Sequence, residues 1–249
     1  MLALAAALAL VVGLVLGLLG GGGSMLTLPM LVYLLGVDAK QAIPSSLFVV
    51  GAASGAALVT HARRGMVAWR IGLAFGAASM VGAHLGGRAA RFLSGHVLLM
   101  AFACVMIATA CFTLRGRHRP QAQGTLAWPR AVLIGAAVGS LAGLVGAGGG
   151  FLIVPALCLF GGLSTHRAIG TSALVIVQQS AAGFAGQLTH AVIPWRLVLA
   201  IAAATTAGAL AGAHLSANTS PKRLQRAFGW LVFGLGVFQL SKEAFSLIK

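Results

Sequence analysis

Residues 17–29 read GLLGGGGSMLTLP, and residues 143–155 read GLVGAGGGFLIVP. Each places a run of glycines between two apolar stretches. Glycine reaches positive φ cheaply and lets a ligand approach the backbone. A helix that starts just after such a run presents unpaired N–H groups and the positive end of its dipole, and together these make an anion site. Gly22, Gly23 and Ser24 in the first run, and Gly148, Gly149 and Gly150 in the second, are the candidate binding residues. The competing account is close helix packing of the GxxxG kind. That account is preferred for Gly82, Gly86, Gly208 and Gly212, which are spaced at four on long apolar segments.

A second paired motif follows the glycines: AIPSS at 42–46 and AIGTS at 168–172. Ser45, Ser46, Thr171 and Ser172 offer hydroxyls near the start of a segment, suited either to an anion or to capping and back-bonding of their own helix. Gln178 and Gln179 fall inside an apolar stretch, where an amide needs a partner. Gln178 is the candidate substrate contact, with interhelical hydrogen bonding as the alternative.

Nothing else in the chain carries chemistry of comparable weight. Cys104, Cys111 and Cys158 lie in apolar segments without metal-type spacing, so neither a metal site nor a cofactor is expected. His61, His84, His190 and His214 fall near segment ends, where a histidine can couple to protons or simply sit at the interface. Trp69-Arg70 and Trp195-Arg196 read as interface anchors, with an electrostatic lure at each mouth as the other reading. Gly22-Gly23-Ser24 superficially matches the GxS of an intramembrane serine hydrolase with His61 or His84 as base. The duplicate carries Gly150 at the serine position, so no catalytic residue is assigned and an enzyme is not expected.

The elements that must hold these residues are set by composition. The chain of 249 residues is 59% hydrophobic and 8% charged, with a mean hydropathy of +0.99. Soluble domains carry about 25% charged residues, and a bilayer span needs about 20 mostly apolar ones. The expected fold is therefore an all-α polytopic membrane protein. Its net charge of +15 comes from 17 Lys and Arg against two acids, Asp38 and Glu243. The cations lie mostly in short connections, where they set orientation and meet anionic lipid, so nucleic acid is not an expected partner. So few carboxylates exclude the usual buried acidic proton relay or sodium site and suit a small anionic substrate.

Sliding the sequence on itself by 126 positions superposes the two glycine runs. The same register brings Ala42, Ile43 and Ser46 onto Ala168, Ile169 and Ser172, and Trp69-Arg70 onto Trp195-Arg196. The chain is a duplication, with a first transmembrane repeat over 1–114, a basic cytoplasmic linker over 115–127 and a second repeat over 128–249. Each half is expected to contain about five helical segments. An apolar helix covers 3–19 or 129–145, and a short piece of about 12 residues covers 24–35 or 150–161. That piece spans only ~18 Å and cannot cross ~30 Å of hydrocarbon untilted. Three longer helices complete each half, over 40–62, 66–88 and 94–114, and over 166–188, 194–215 and 223–245. The apolar N-terminus resembles a signal h-region but lacks a basic n-region, and the repeat counts it as structural. The positive-inside rule puts the linker, Arg63, Arg64, His166-Arg167 and Lys222-Arg223-Arg226 in the cytoplasm if the halves are inverted, with both termini outside. Arg88 and Arg91 run against that orientation.

The doubled GLxGxGGG-x-x-x-x-P pattern, followed by AIPSS or AIGTS and then by Trp-Arg, resembles the TauE/SafE sulfite exporter family over most of the chain. The resemblance implies a multi-pass inner-membrane permease that moves sulfite, an organosulfonate or another small anion. It implies that the paired elements around Gly20–Ser24 and Gly146–Gly150 act together. The chain departs from an even repeat at Gly20–Gly23, where the second half keeps GAGG, and at Pro44, where it has Gly170. A passive anion channel of the same fold is the alternative function.

Overall fold

The computed structural model describes residues 2–21, 24–90, 95–115, 128–145, 150–187 and 193–247. Within these every regular element is helical: α1 (Leu2–Leu19), α2 (Ser24–Pro29), α3 (Ala39–Arg63), α4 (Trp69–Ala90), α5 (Gly95–Leu114), α6 (Trp128–Val145), α7 (Gly150–Leu159), α8 (Thr165–Gln187), α9 (Trp195–Asn218) and α10 (Pro221–Leu247). α2 widens into a π-helical turn over Met30–Leu34. It does so just past Pro29, whose missing N–H interrupts the α ladder. Each helix of the second half begins 126 residues after its counterpart.

The repeat extends to individual hydrogen bonds. After α2, Leu35 N–H donates to Met30 and Val37 N–H donates to Leu31; after α7, Gly161 donates to Ala156 and Leu163 to Leu157. Gly36 and Gly162 sit in the same place in these two turns, with φ of 63° and 62°. Only glycine adopts that left-handed conformation without strain, and it lets the chain leave the half-helix and start the next one.

The helices of one half pack chiefly on those of the other. α1 lies along α9 and α6 along α4, while α3 pairs with α8 and α5 with α10. Exchanging the halves leaves this map unchanged. The first two seams are built on glycine: Gly13 and Gly17 abut the backbone of Thr205 and Ala209, while Gly208 and Gly212 abut Leu10 and Leu14. Gly135 and Gly139 abut Phe75 and Ser79 in the same way. Positions rise together along each seam, so both pairs run parallel. In α3 and α8 the order reverses, with Gly183 beside Leu47, Gly51 beside Ser180 and Gly170 beside His61. α10 and α5 are likewise antiparallel, with Gly229 at Leu114 and Gly236 at Met106.

These pairings collect the ends of several helices at the end of the bundle where the linker leaves α5 and enters α6. Gln225 Nε2 donates to the Thr113 carbonyl at 2.6 Å, which brings the start of α10 there. Ala68 N–H donates to Thr171 Oγ1 at 3.0 Å, which brings the α3–α4 turn to the start of α8. Arg63, Arg64, Arg115, Arg130, Arg167, Lys222, Arg223 and Arg226 all belong to this end, whereas Asp38 and Arg196 belong to the other.

Three helices are long and apolar enough to cross a bilayer among the described residues: Gln41–Arg63, Thr165–Ala185 and Trp195–Ser216. α1 and α6, with 18 residues each, reach about 27 Å at the usual rise. Large apolar side chains stay on the outside, among them Leu133, Trp230, Phe160 and Phe238. That is stable only against lipid, and the chain is a multi-pass membrane protein.

Candidate functional site

The two glycine breaks meet. A Cβ at Gly21 would fall onto the backbone of Gly150, the residue that opens α7, and α2 packs on α7. Gly20, with φ of 77°, lies against Ser172 Oγ, Val154 and the backbone of Ile169. The ends of both breaks therefore sit together with the first turns of α8. Ser24 opens α2 as Gly150 opens α7. Gly22, Gly23, Gly148 and Gly149 lie outside the described residues.

The four hydroxyls are buried and occupy equivalent positions, but their protons are already committed. Ser45 Oγ donates to the Gln41 carbonyl at 2.6 Å and Thr171 Oγ1 to Arg167 at 2.6 Å. Ser46 Oγ donates to Ile43 at 2.8 Å and Ser172 Oγ to Ile169 at 2.7 Å. These are bonds to the preceding turn of the same helix, the arrangement that competes with ligand binding. In this conformation each hydroxyl can accept a hydrogen bond but has no free proton for an anion. Gln178 Nε2 donates to the carbonyls of Gly72 at 3.3 Å and Leu174 at 3.4 Å, and Gln179 Nε2 donates to Ser79 Oγ at 2.8 Å. Both amides thus tie α8 to α4, and a Cβ at Gly76 would strike the Gln178 amide. Gly82, Gly208 and Gly212 serve as packing glycines.

Of two cavities among the described residues, the larger lies away from the breaks and the smaller borders the first of them, lined in part by Leu19, Val154 and Ile169 around Gly20. One, of about 270 Å³, opens between α5 and α10 beside Cys111, Arg115 and Trp230. The other, of about 20 Å³, lies among Leu19, Thr113, Val154 and Leu224. At Gly20 and Gly21 the backbone is held so close to its neighbours that a methyl group would not fit.

Sequence reasoning did not anticipate one cluster beside the breaks. His61, in the last turn of α3, is 1% exposed, and the backbone of Gly17, the Arg64 guanidinium and His166 all act on its ring. Arg64 Nη2 lies 2.8 Å from His214 Nδ1, joining the α3–α4 turn to the end of α9. Because arginine only donates, that imidazole nitrogen must accept. His84 is exposed on α4, and His190 lies outside the described residues. Arg64 and His214 are 150 residues apart, so no local pattern signals their contact.

Comparison with known proteins agrees with the fold. The model of the family "Sulfite exporter TauE/SafE" matches residues 5–238. A "Probable membrane transporter protein" of Xylella fastidiosa (strain 9a5c) is 33% identical over 245 residues, covering 95% of this chain and 94% of that protein. The "Probable membrane transporter protein YdhB" of Bacillus subtilis (strain 168) is 27% identical over 216 residues, covering 84% and 88%. The "Probable membrane transporter protein MJ0441" of Methanocaldococcus jannaschii is 27% identical over 255 residues, covering 94% of each chain. No solved structure matches the chain. By the extent of the family match and the similarity to its Xylella relative, the chain belongs to the TauE/SafE sulfite exporter family and stands among membrane transporters.

Proposed function

We propose that the protein is a permease for a small anion, sulfite or a related sulfur oxyanion or organosulfonate, working by alternating access. The observation that carries this reading is the contact of Gly21 with Gly150. α2 and α7 both begin beside that contact, so two helix N-termini converge where an anion would sit, with the glycines 22–23 and 148–149 as the backbone that meets it. The antiparallel pairing of α3 with α8 and of α5 with α10 supports an inverted-topology repeat, the architecture that places such a site at the membrane midplane. Irregular backbone at that depth is tolerated only where protein or a wet cavity satisfies it.

The tightness of the contact favours alternating access over a passive channel. An anion passing between Gly21 and Gly150 would need the halves to separate there. Rotation of Ser172 or Ser46 away from the carbonyl of its own helix would free a donor for the anion.

The test is counterflow in proteoliposomes loaded with sulfite, thiosulfate or isethionate. Wild type exchanges at least one of the three. Gly23→Leu and Gly149→Leu leave the protein inserted in the membrane but abolish exchange. Full exchange by both variants removes the site assignment, and no exchange of any of the three by wild type removes the anion reading.

A further inference from the structure

His61 has an unusual environment for a residue in a transporter of anions. It is 1% exposed, and its Nδ1 is buried without a hydrogen-bond partner. Nδ1 of His166, in the first turn of α8, is buried and unpartnered as well. Buried ring nitrogens without partners are rare in folded proteins. A pair of them marks an incomplete site rather than a packing position.

The surroundings say what completes it. His61 is followed by Arg63 on α3 and by Arg64 in the turn after it; α8 contributes His166 and Arg167, the first turn of α4 contributes Arg70, and α9 contributes His214, which accepts from Arg64. α1 and α2 carry no ionisable side chain. The two carboxylates of the chain are remote. Asp38 precedes α3, whereas His61 is in its last turn, and the intervening helix measures roughly 33 Å. Glu243 lies near the far end of α10 from the linker. Once protonated, an imidazole at this buried place needs a countercharge beside it. Fixed acidic side chains do not supply the missing countercharge, so it must arrive with a mobile anion. The anion site is adjacent: Gly17 beside His61 is one turn from Gly20, and Gly170 beside it is two residues from Ser172.

We propose that His61, backed by His166, is the proton-binding site of the transporter, loaded together with the anion from the linker end. This rests on the anion-permease reading above and names its coupling ion. The anion neutralises the protonated imidazole, and the imidazolium in turn holds the anion. Each therefore raises the affinity for the other by the same factor.

The test measures proton uptake by the purified full chain in weakly buffered detergent solution on adding sodium thiosulfate or sodium isethionate. Neither salt titrates near neutrality. Counterflow of the same two anions is measured in parallel in proteoliposomes. Wild type takes up about one proton per chain at saturation. His61→Gln exchanges the anion only at a higher half-saturating concentration and takes up no proton, and His84→Gln, on the exposed face of α4, behaves as wild type. Proton uptake that persists in His61→Gln overturns the proposal, as does a wild type that exchanges without taking up protons. A wild type that exchanges neither of these anions nor sulfite instead overturns the permease reading. If His61→Gln does not fold, histidine ¹⁵N resonances of the wild type decide. One imidazole moves to the imidazolium range with anion if the proposal holds, and none does if it fails.

Discussion

The hydroxyls of AIPSS and AIGTS carry two demands that conflict. A serine that bonds to the carbonyl one turn back satisfies a buried polar group and stabilises its helix locally, and the same proton cannot also hold an anion. Ser45 and Thr171 bond four residues back and Ser46 and Ser172 three back, identically in the two halves. Ser172 and Ser46 are the better candidates for dual use, because Ser172 Oγ also faces Gly20. We therefore expect Ser45→Ala to change exchange by less than about threefold. Ser172→Ala should cost about tenfold, the loss of roughly one hydrogen bond to a charged group. Initial rates of counterflow check both, and equal small effects would mean that all four hydroxyls are structural. Their positions were legible in the sequence, since the residue types and the 126-residue repeat mark them. Their bonding was not, because the carbonyl that takes each proton depends on a rotamer that no spacing encodes. The same limit separates His61 from His84. Both fall in apolar helices, and the neighbours that bury His61, Gly170 and Gly17 among them, come from other helices.

At the scale of elements, the glycines of the long helices act as a fastening between the halves. Gly13, Gly17, Gly208 and Gly212 let α1 and α9 meet backbone to backbone, and Gly82, Gly135 and Gly139 do the same for α4 and α6. Lipid offers no hydrophobic force to push helices together, so close packing and short-range contact must hold such seams. A branched side chain at Gly208 would strike the Leu10 carbonyl, whereas Gly234 has nothing within 4 Å. Gly208→Val should cost about 3 kcal/mol or more and lower the melting temperature of the detergent-solubilised protein, while Gly234→Val should leave it unchanged. A matched thermal shift for the two variants would show that the seam does not hold the halves. Helix extents were readable in advance to within a few residues, because apolar run length and the repeat both mark them. The partner of each helix was not readable: α1 finds α9 and not its chain neighbour, and the cue for that choice is a spacing of small residues that many membrane helices share.

For the whole molecule, the open matter is how the two halves sit in the bilayer, and the charge distribution bears on it. The linker end gathers Arg63, Arg64, Arg70, Arg115, Arg130, Arg167, Lys222, Arg223 and Arg226, against Lys40, Arg88, Arg196 and Lys242 with the two acids Asp38 and Glu243 at the other end. We propose, on the positive-inside rule, that this end faces the cytoplasm, where the His61 cluster would meet the anion. The inverted arrangement makes a prediction that a parallel one does not. Asp38 precedes α3 and Ser164 precedes α8, equivalent places 126 residues apart. In parallel halves the two lie on the same face of the membrane; in inverted halves they lie on opposite faces. Both are exposed, so Asp38→Cys and Ser164→Cys can be read with a membrane-impermeant maleimide after Cys104, Cys111 and Cys158 are replaced by alanine. Intact cells should label Asp38→Cys and not Ser164→Cys, and inside-out vesicles should reverse the pattern. Ser220→Cys at the start of α10 should follow Ser164→Cys, and Arg196→Cys at the start of α9 should follow Asp38→Cys. Labelling of Asp38→Cys and Ser164→Cys from the same side would separate the two glycine breaks across the membrane, and with them the shared site on which the transport mechanism depends.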